Sequence, residues 1–338
     1  MPLIEVRDLV KEFRVFDRRE GVSGAVKDLF HRRYRQLRAV DGVSFDVDQG
    51  EIVGYIGPNG AGKSTTVKML TGILVPTSGR LQVAGFAPHR DRRVFTRSIG
   101  VVFGQRTQLW WDIAVIESFR LLAKIYGVER TRFEERLLQL DEILALKDLL
   151  HTPVRKLSLG QRMRCDLAAS LIHEPPILFL DEPTIGLDVI AKDSVRTFLR
   201  EINRVFRTTI LLTTHDLRDI EELCRRVIVI DRGRILFDGP LREMKARHAG
   251  IVHVEIDLYG EPTLDALRGS IQIQGEHGKG DVLWEQRGPC AFRASFQRAL
   301  LRPADLIRDV MKRFEVADVS IEEASIEEVV KRIYGNRG

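Results

Sequence analysis

This sequence of 338 residues predicts an α/β fold followed by a small α+β C-terminal domain, and three observations carry that prediction. An apolar run over 52–56 reads as a buried strand and leads through a glycine-rich loop into a helix. Further apolar runs over 99–103, 177–180 and 210–214 are interleaved with helical patterns, as in a parallel sheet with crossover helices. The pattern breaks at Gly239-Pro240, which places one domain over 1–240 and a second over 241–338.

Taken in order, 3–10 alternates as a strand does, and 43–47 alternates cleanly before Gln49-Gly50. A basic insert over 14–38 separates them. The strand at 52–56, its loop and its helix follow, then a shorter strand-like run at 81–84. From 115 to about 154 the chain is helical in pattern, inside a helical subdomain over 106–160. The strand at 177–180 precedes a helix over 191–206, and 227–230 with 235–237 read as a hairpin. In the second domain a charged helical linker (241–247) precedes strands at 251–256, 271–274 and 282–285 and helices at 304–314 and 326–334.

The chemistry begins in the loop. Gly57, Pro58, Asn59, Gly60, Ala61, Gly62, Lys63, Ser64 and Thr65 make the pattern G-x-x-x-x-G-K-[ST] between a strand and a helix. Backbone N–H groups and the positive end of the helix dipole there converge on a polyphosphate. Lys63 is placed to reach the β- and γ-phosphates and the Ser64 hydroxyl to take a Mg²⁺ position, so the chain is expected to bind a nucleoside triphosphate. The strand at 177–180 delivers Asp181 and Glu182 at its end, a position suited to metal and water work. Asp181 is the candidate Mg²⁺ ligand, through water, and Glu182 the candidate group that polarises the attacking water. For such a pair by itself, two solvated acids at a strand end is the plainer reading. Ser158 and Gly160, at the start of a helical run, form a second set of donors aimed at an anion, with Ser158 as an ordinary N-cap the alternative.

Composition sets the class. With 44% hydrophobic and 30% charged residues the chain reads as an ordinary globular protein, and no apolar stretch approaches the ~20 residues needed to cross a bilayer. The first residues carry neither a basic n-region nor an h-region, so no secretory signal is expected. Cys165, Cys224 and Cys290 are odd in number and far apart, which suits reduced thiols. The insert over 14–38 holds eight bases against three acids and so carries the whole formal excess of +5. That argues for one local basic device and against a general nucleic-acid field; no nucleic-acid partner is expected.

These motifs, in this order, resemble those of the nucleotide-binding subunit of an ABC transporter. The cradle at 57–65 is followed by a Q-loop at Gln105, an LSGGQ-type signature at 157–161, a Walker B strand ending in Asp181 and Glu182, a D-loop at Gly186-Leu187-Asp188 and an H-loop histidine, His215. Leu159 departs from the family, which usually has glycine there, while Ser158, Gly160 and Gln161 are kept. The resemblance implies an ABC-type P-loop ATPase core with an antiparallel β subdomain and a helical subdomain. It also implies two ATP molecules sandwiched head to tail between this chain and a second copy, or a paralogous ATPase. Glu182, His215 and Gln105 are the implied catalytic residues, Ser64, Gln105 and Asp181 the implied Mg²⁺ set, and Ser158, Gly160, Gln161 and Asp188 the residues presented to the opposite subunit.

By the same resemblance an aromatic after the first strand stacks on adenine. Phe13 is the first choice and Phe16 the second, with Val40 on the other side of the base and Phe13 as plain core the alternative. Leu109-Trp110-Trp111-Asp112 falls where such subunits receive the coupling helix of an integral-membrane permease, and helical-domain core is the competing reading. Val26, Leu29 and Phe30 with His31-Arg32-Arg33 read as an amphipathic basic segment near the bilayer or as a solvated loop. Stretches 54–79, 101–112, 157–175 and 181–192, and the ending at 316–330, resemble drug- and viologen-type exporter ATPases. The insert also resembles that of polysaccharide or teichoic-acid exporters. A non-transport ABC ATPase and another P-loop enzyme such as a kinase are the remaining readings. The expected location is the cytoplasmic face of the inner membrane, as a peripheral subunit.

Overall fold

β1 (Ile4–Phe16) and β2 (Tyr34–Val47) form a long antiparallel hairpin in which Ile4 faces Val47 and Phe16 faces Tyr34. β3 (Ile52–Ile56) leaves for a second sheet, and β4 (Ser78–Val83) returns to pair with the other edge of β1, in the order β2-β1-β4. The computed structural model describes residues 2–16, 34–104, 106–248, 251–260, 262–268, 282–297, 301–322 and 326–335. The insert is therefore described only at its ends, and Gln105 and the expected strand at 271–274 lie outside the described residues. The chain divides into two units, Met1–Gly239 and Pro240–Gly338.

The hairpin is longer than its alternation predicts. Residues 14–16 and 34–38 continue both strands but are exposed, so no core face selects an apolar residue at every second position. Nearer the sheet, Ile4, Val6, Leu9, Val43, Phe45 and Val47 are buried against Tyr55, Val67 and Leu70.

The second sheet has six strands in the order β5-β6-β7-β3-β8-β9. β5 (Ile99–Phe103), β6 (Ile177–Asp181), β7 (Thr209–Thr213), β3 and β8 (Arg226–Asp231) run parallel. The three central strands β6, β7 and β3 are almost wholly buried, which is why they read as unbroken apolar runs. β9 (Arg234–Pro240) follows β8 through Arg232 and Gly233, both at positive φ (47° and 77°), the pattern of a two-residue type I′ hairpin turn. The α/β fold expected from the sequence is thus present, with its antiparallel partner sheet.

Helices cover and extend this sheet. α1 (Lys63–Leu70) follows the glycine-rich loop, and α2 (Arg92–Phe95) is a single turn. α3 (Val115–Tyr126) buries Val115, Ile116, Phe119, Leu122 and Ala123 at helical spacing and stops at Gly127, which is left-handed. α4 (Arg130–Leu144) and α5 (Leu159–Leu171) complete the helical part, with α5 packed on β5, α3 and α4. α6 (Val189–Phe206) and α7 (Leu217–Leu223) flank β7 in the chain.

The second unit holds α8 (Leu241–His248), β10 (Ile251–Leu258), α9 (Leu264–Arg268), β11 (Val282–Gln286), β12 (Ala291–Gln297), α10 (Pro303–Met311), β13 (Val316–Glu322) and α11 (Ile326–Gly335). Its antiparallel sheet, ordered β11-β12-β10-β13, packs Val254, Ile256, Phe292 and Phe296 against Leu306 and Val310 of α10. β12 and β13 were not expected. In β12 one of the three inward positions is Ala294, which blurs the alternation, and β13 is an edge strand with mostly exposed side chains.

Candidate active site

Residues 57–65 join the end of β3 to α1 at the carboxyl end of the parallel strands, where α/β sheets bind ligands. α1 begins at Gly62, which has φ 107° and no side-chain cap, so no side chain of its own cap engages its first N–H groups. Gly62 is required twice over: an L side chain resists that φ, and a Cβ would stand 2.5 Å from the Ala39 carbonyl oxygen. Lys63 folds back across the loop, its Nζ donating to the carbonyls of Gly57 at 2.7 Å and Pro58 at 3.2 Å. Burial pulls the Lys63 ammonium below its ordinary range, and the nearby Glu182 and Asp181 carboxylates oppose that pull.

Ser64 stands beside Asp181, with Oγ 3.4 Å from Asp181 Oδ1, and Thr213 donates its hydroxyl to the same oxygen from the neighbouring strand. Glu182 follows in the left-handed region (φ 58°), unusual for a residue with a side chain. Its N–H donates to Thr213 O at 2.9 Å, which extends the β6–β7 alignment by one residue. Its Oε2 accepts from the His215 N–H at 3.2 Å and meets His215 Nδ1 in a short contact. The backbone of Gly104 passes so close that a Cβ there would lie 1.9 Å from Glu182 O. Gln105 follows that glycine outside the described residues, but the next turn is well anchored. Thr107 Oγ1 and the Gln108 N–H donate to Asp166 Oδ1 at 2.9 and 3.0 Å, clipping this loop to α5. Burial pushes the Asp166 carboxyl up to about 6, against the opposing pull of those hydrogen bonds.

Ser158 is the N-cap of α5 in a complete capping box. The Gln161 N–H donates to Ser158 Oγ at 3.2 Å, and Gln161 Oε1 accepts from the Ser158 N–H at 2.9 Å. Gln161 thus shapes the helix start, and the Ser158 hydroxyl keeps its own proton to donate. Asp188 caps α6 in the same way, accepting from the Ala191 N–H at 2.8 Å. These two helix starts touch: a Cβ on Gly160 would meet Ala191 Cβ at 3.1 Å, and one on Gly186 would meet Leu159 Cδ2 at 3.3 Å. Leu159, which stands where the resemblance leads one to expect glycine, is therefore seated against the turn at Gly186 of its own chain.

A cavity of ≈730 Å³ gathers Phe13, Leu37, Ala39, Pro58, Asn59, Gly60, Gly62, Lys63, Ser64, Thr65, Glu182, Ile185 and His215. Phe13 lines it; Phe16 instead pairs with Tyr34 at 6.1 Å between ring centroids. The expectation for Val40 is corrected: it lies inside β2, not before it, and its side chain is buried in the core. Alternation along β2 gives the cavity Leu37 and Ala39 instead. Leu37, directly opposite Phe13 in the hairpin register, escaped sequence reading because the insert hides that register. Gly57 and Ala61 support the loop without lining the cavity, and Ser158, Gly160, Gln161 and Asp188 are likewise absent from its lining. Trp110 and Trp111 are exposed at 40% and 49%, which removes the core reading, and the Arg162 guanidinium lies 5.4 Å from the Trp111 ring centre.

A phosphate cradle after a central parallel strand, with a carboxylate pair on the strand two places away, defines a P-loop nucleoside triphosphatase. A family model described as "ABC transporter" matches residues 40–185. The Nod factor export ATP-binding protein I of Ralstonia nicotianae is 39% identical over 296 residues, covering 83% of this chain and 90% of that protein. The daunorubicin resistance ATP-binding protein DrrA3 of Streptomyces coeruleorubidus is 38% identical over 68% of this chain and 70% of its own. Among solved structures, cbiO1 from Clostridium perfringens, part of an ABC transporter complex, aligns with TM-score 0.60 at 27% identity over 72% of this chain and 91% of that one. The chain belongs to the ABC transporter family, as one of its ATP-binding and ATP-hydrolysing proteins. ATPases of this family work as dimers with membrane permease components.

Proposed function

We propose that this chain drives a separate membrane permease for the export of a drug-like or other small compound, by closing on a second copy, or a paralogue, around two ATP molecules. One observation carries the dimer. The cradle cavity includes Lys63, Ser64, Glu182 and His215 but none of the signature residues. Those stand with Asp188 beside Val189 and Ile190, large apolar side chains 65% and 80% exposed. A triphosphate on the cradle of one copy then lies opposite Ser158 and Gly160 of the other, and each copy supplies half of each site. Phe13 and Leu37 hold the base, Lys63 and the N–H groups of the loop hold the phosphates, and Glu182, oriented by His215, polarises the attacking water.

Mg²⁺ fits the residues present. A hydroxyl (Ser64) and a carboxylate (Asp181) converge, and phosphate oxygens with water complete the hard oxygen set this ion takes. Bound there, the ion neutralises phosphate charge. Among the described residues no helix is long and apolar enough to cross a membrane. In this reading the permease does the spanning and the chain sits beside it as a peripheral subunit on the cytoplasmic face. The exposed Trp110 and Trp111 are the surface we assign to that permease. Export is supported by relatives named for Nod factor export, whose match runs into the second unit, and for daunorubicin and linearmycin resistance.

The test is Glu182→Gln. It keeps the size of the side chain and removes its basicity, so turnover should fall at least ~100-fold while ATP converts the protein from monomer to dimer on sizing with light scattering. Near-wild-type turnover would remove Glu182 from its role, and a variant that stays monomeric with bound ATP would remove the shared site.

A further inference from the structure

Asp219, on α7, touches none of the cavity and is 0% exposed. Its Oδ2 accepts the hydroxyls of Thr184 at 2.5 Å and Thr214 at 3.0 Å, and its Oδ1 accepts Arg196 Nε at 2.7 Å. Each partner lies on a segment that carries a group already placed in the site. Thr184 lies two residues after Glu182, Thr214 immediately precedes His215, and Arg196 lies on α6, about two turns after the Asp188 cap. A second tie runs in parallel, from Lys192 of α6 to Asp216 Oδ2 at 2.6 Å. Glu182 occupies a left-handed backbone conformation that persists only where its surroundings over-determine it. The hydrogen bond to Thr213 O fixes it from one side. The Thr184–Asp219–Thr214 bridge fixes the segment after it and the histidine that meets its carboxylate.

We propose that Asp219 is a positioning residue for ATP hydrolysis: by drawing Thr184 and Thr214 onto one carboxylate it holds Glu182 against His215, and through Arg196 it ties that pair to the helix that starts at Asp188. This rests on the reading of Glu182 and His215 as the hydrolytic pair. Removing Asp219 itself would strip the buried Arg196 of its one fully buried acidic partner, leaving Asp193, Asp216 and Glu222, and confuse positioning with destabilisation. The informative variants are Thr214→Val and Thr184→Val, which delete a hydroxyl at nearly constant volume and leave the ion pair in place.

In the full-length chain, both are expected to lower kcat at least tenfold per ATP-binding-competent protein, with KM for ATP within twofold. Thr214→Ser and Thr184→Ser, which keep the hydroxyl, should restore kcat to within threefold. An unchanged kcat, a KM that rises in step with the loss, or serine variants as slow as the valines would overturn the proposal. Should Thr214→Val fail to fold, because its oxygen also accepts the Asp216 N–H, Thr184→Val carries the same expectations. Glu182→Gln run alongside separates the failures. If it still turns over, the reading of the site falls; if it is dead while the valine variants keep full kcat, only the positioning role falls.

Discussion

Asp166 shows how one buried carboxylate spends stability to hold a loop. It is 4% exposed and accepts from Thr107 and Gln108, yet burial outweighs those bonds and raises its pKa to about 6 from 3.8. The native state therefore binds this proton more tightly than the unfolded chain does. The stabilisation is full below about 4 and is lost as pH rises through about 6, which leaves a cost of ~3 kcal/mol at pH 8. Asp166→Asn removes the charge while its amide oxygen still accepts both donors. Denaturant unfolding should find it more stable than wild type at pH 8, by about 1–3 kcal/mol, with the gap closing towards pH 4. Equal stability at pH 8 would mean that the carboxylate is not penalised by its surroundings. At this scale the cradle was legible because its residues are contiguous and obligatory, Gly62 above all. Leu37 was not, since its place opposite Phe13 depends on pairing across the insert. Nor did any sequence signal mark the contacts of Asp166 with Thr107 or of Asp219 with Thr184 and Arg196, which join segments far apart in the chain.

The start of α5 is where an element's own needs and the site's needs coincide. Ser158 satisfies the helix through its capping box and is also the proposed donor to the partner's triphosphate. Ser158→Asp separates the two roles. Aspartate caps as well as serine does, and a negative charge at a helix N-terminus adds about 0.3–1 kcal/mol, so stability should hold or rise. The same charge would face a triphosphate across the closed pair, and ATPase activity with ATP-driven dimerisation (the latter in a Glu182→Gln background) should be lost. Retained activity would leave Ser158 as a cap alone. Elements were legible in proportion to burial. β3, β6 and β7, buried on both faces, stood out as apolar runs; the outer halves of β1 and β2 and the edge strand β13, largely exposed, left no period to find.

On the scale of the molecule, each of the two units has a hydrophobic core of its own. Every residue lining the cradle cavity lies between Phe13 and His215, and Asp188 with the exposed Val189 and Ile190 also belongs to the first unit. β9 ends at Pro240, so a cut there keeps the whole six-stranded sheet, and α8, whose Leu241 and Met244 are buried, goes with the second unit, where it contacts α11. A domain of that size buries roughly 70–75% of its unfolded surface and needs no second core to fold. The fragment 1–240 is therefore expected to unfold in one cooperative transition and to bind ATP within about threefold of the full chain, a difference of less than ~0.7 kcal/mol. Carrying Glu182→Gln, it should also form the ATP-dependent dimer, because the apolar and signature surfaces remain. ATP binding without dimerisation would assign a pairing element to residues 241–338, and an aggregated fragment would contradict the independence of the first unit.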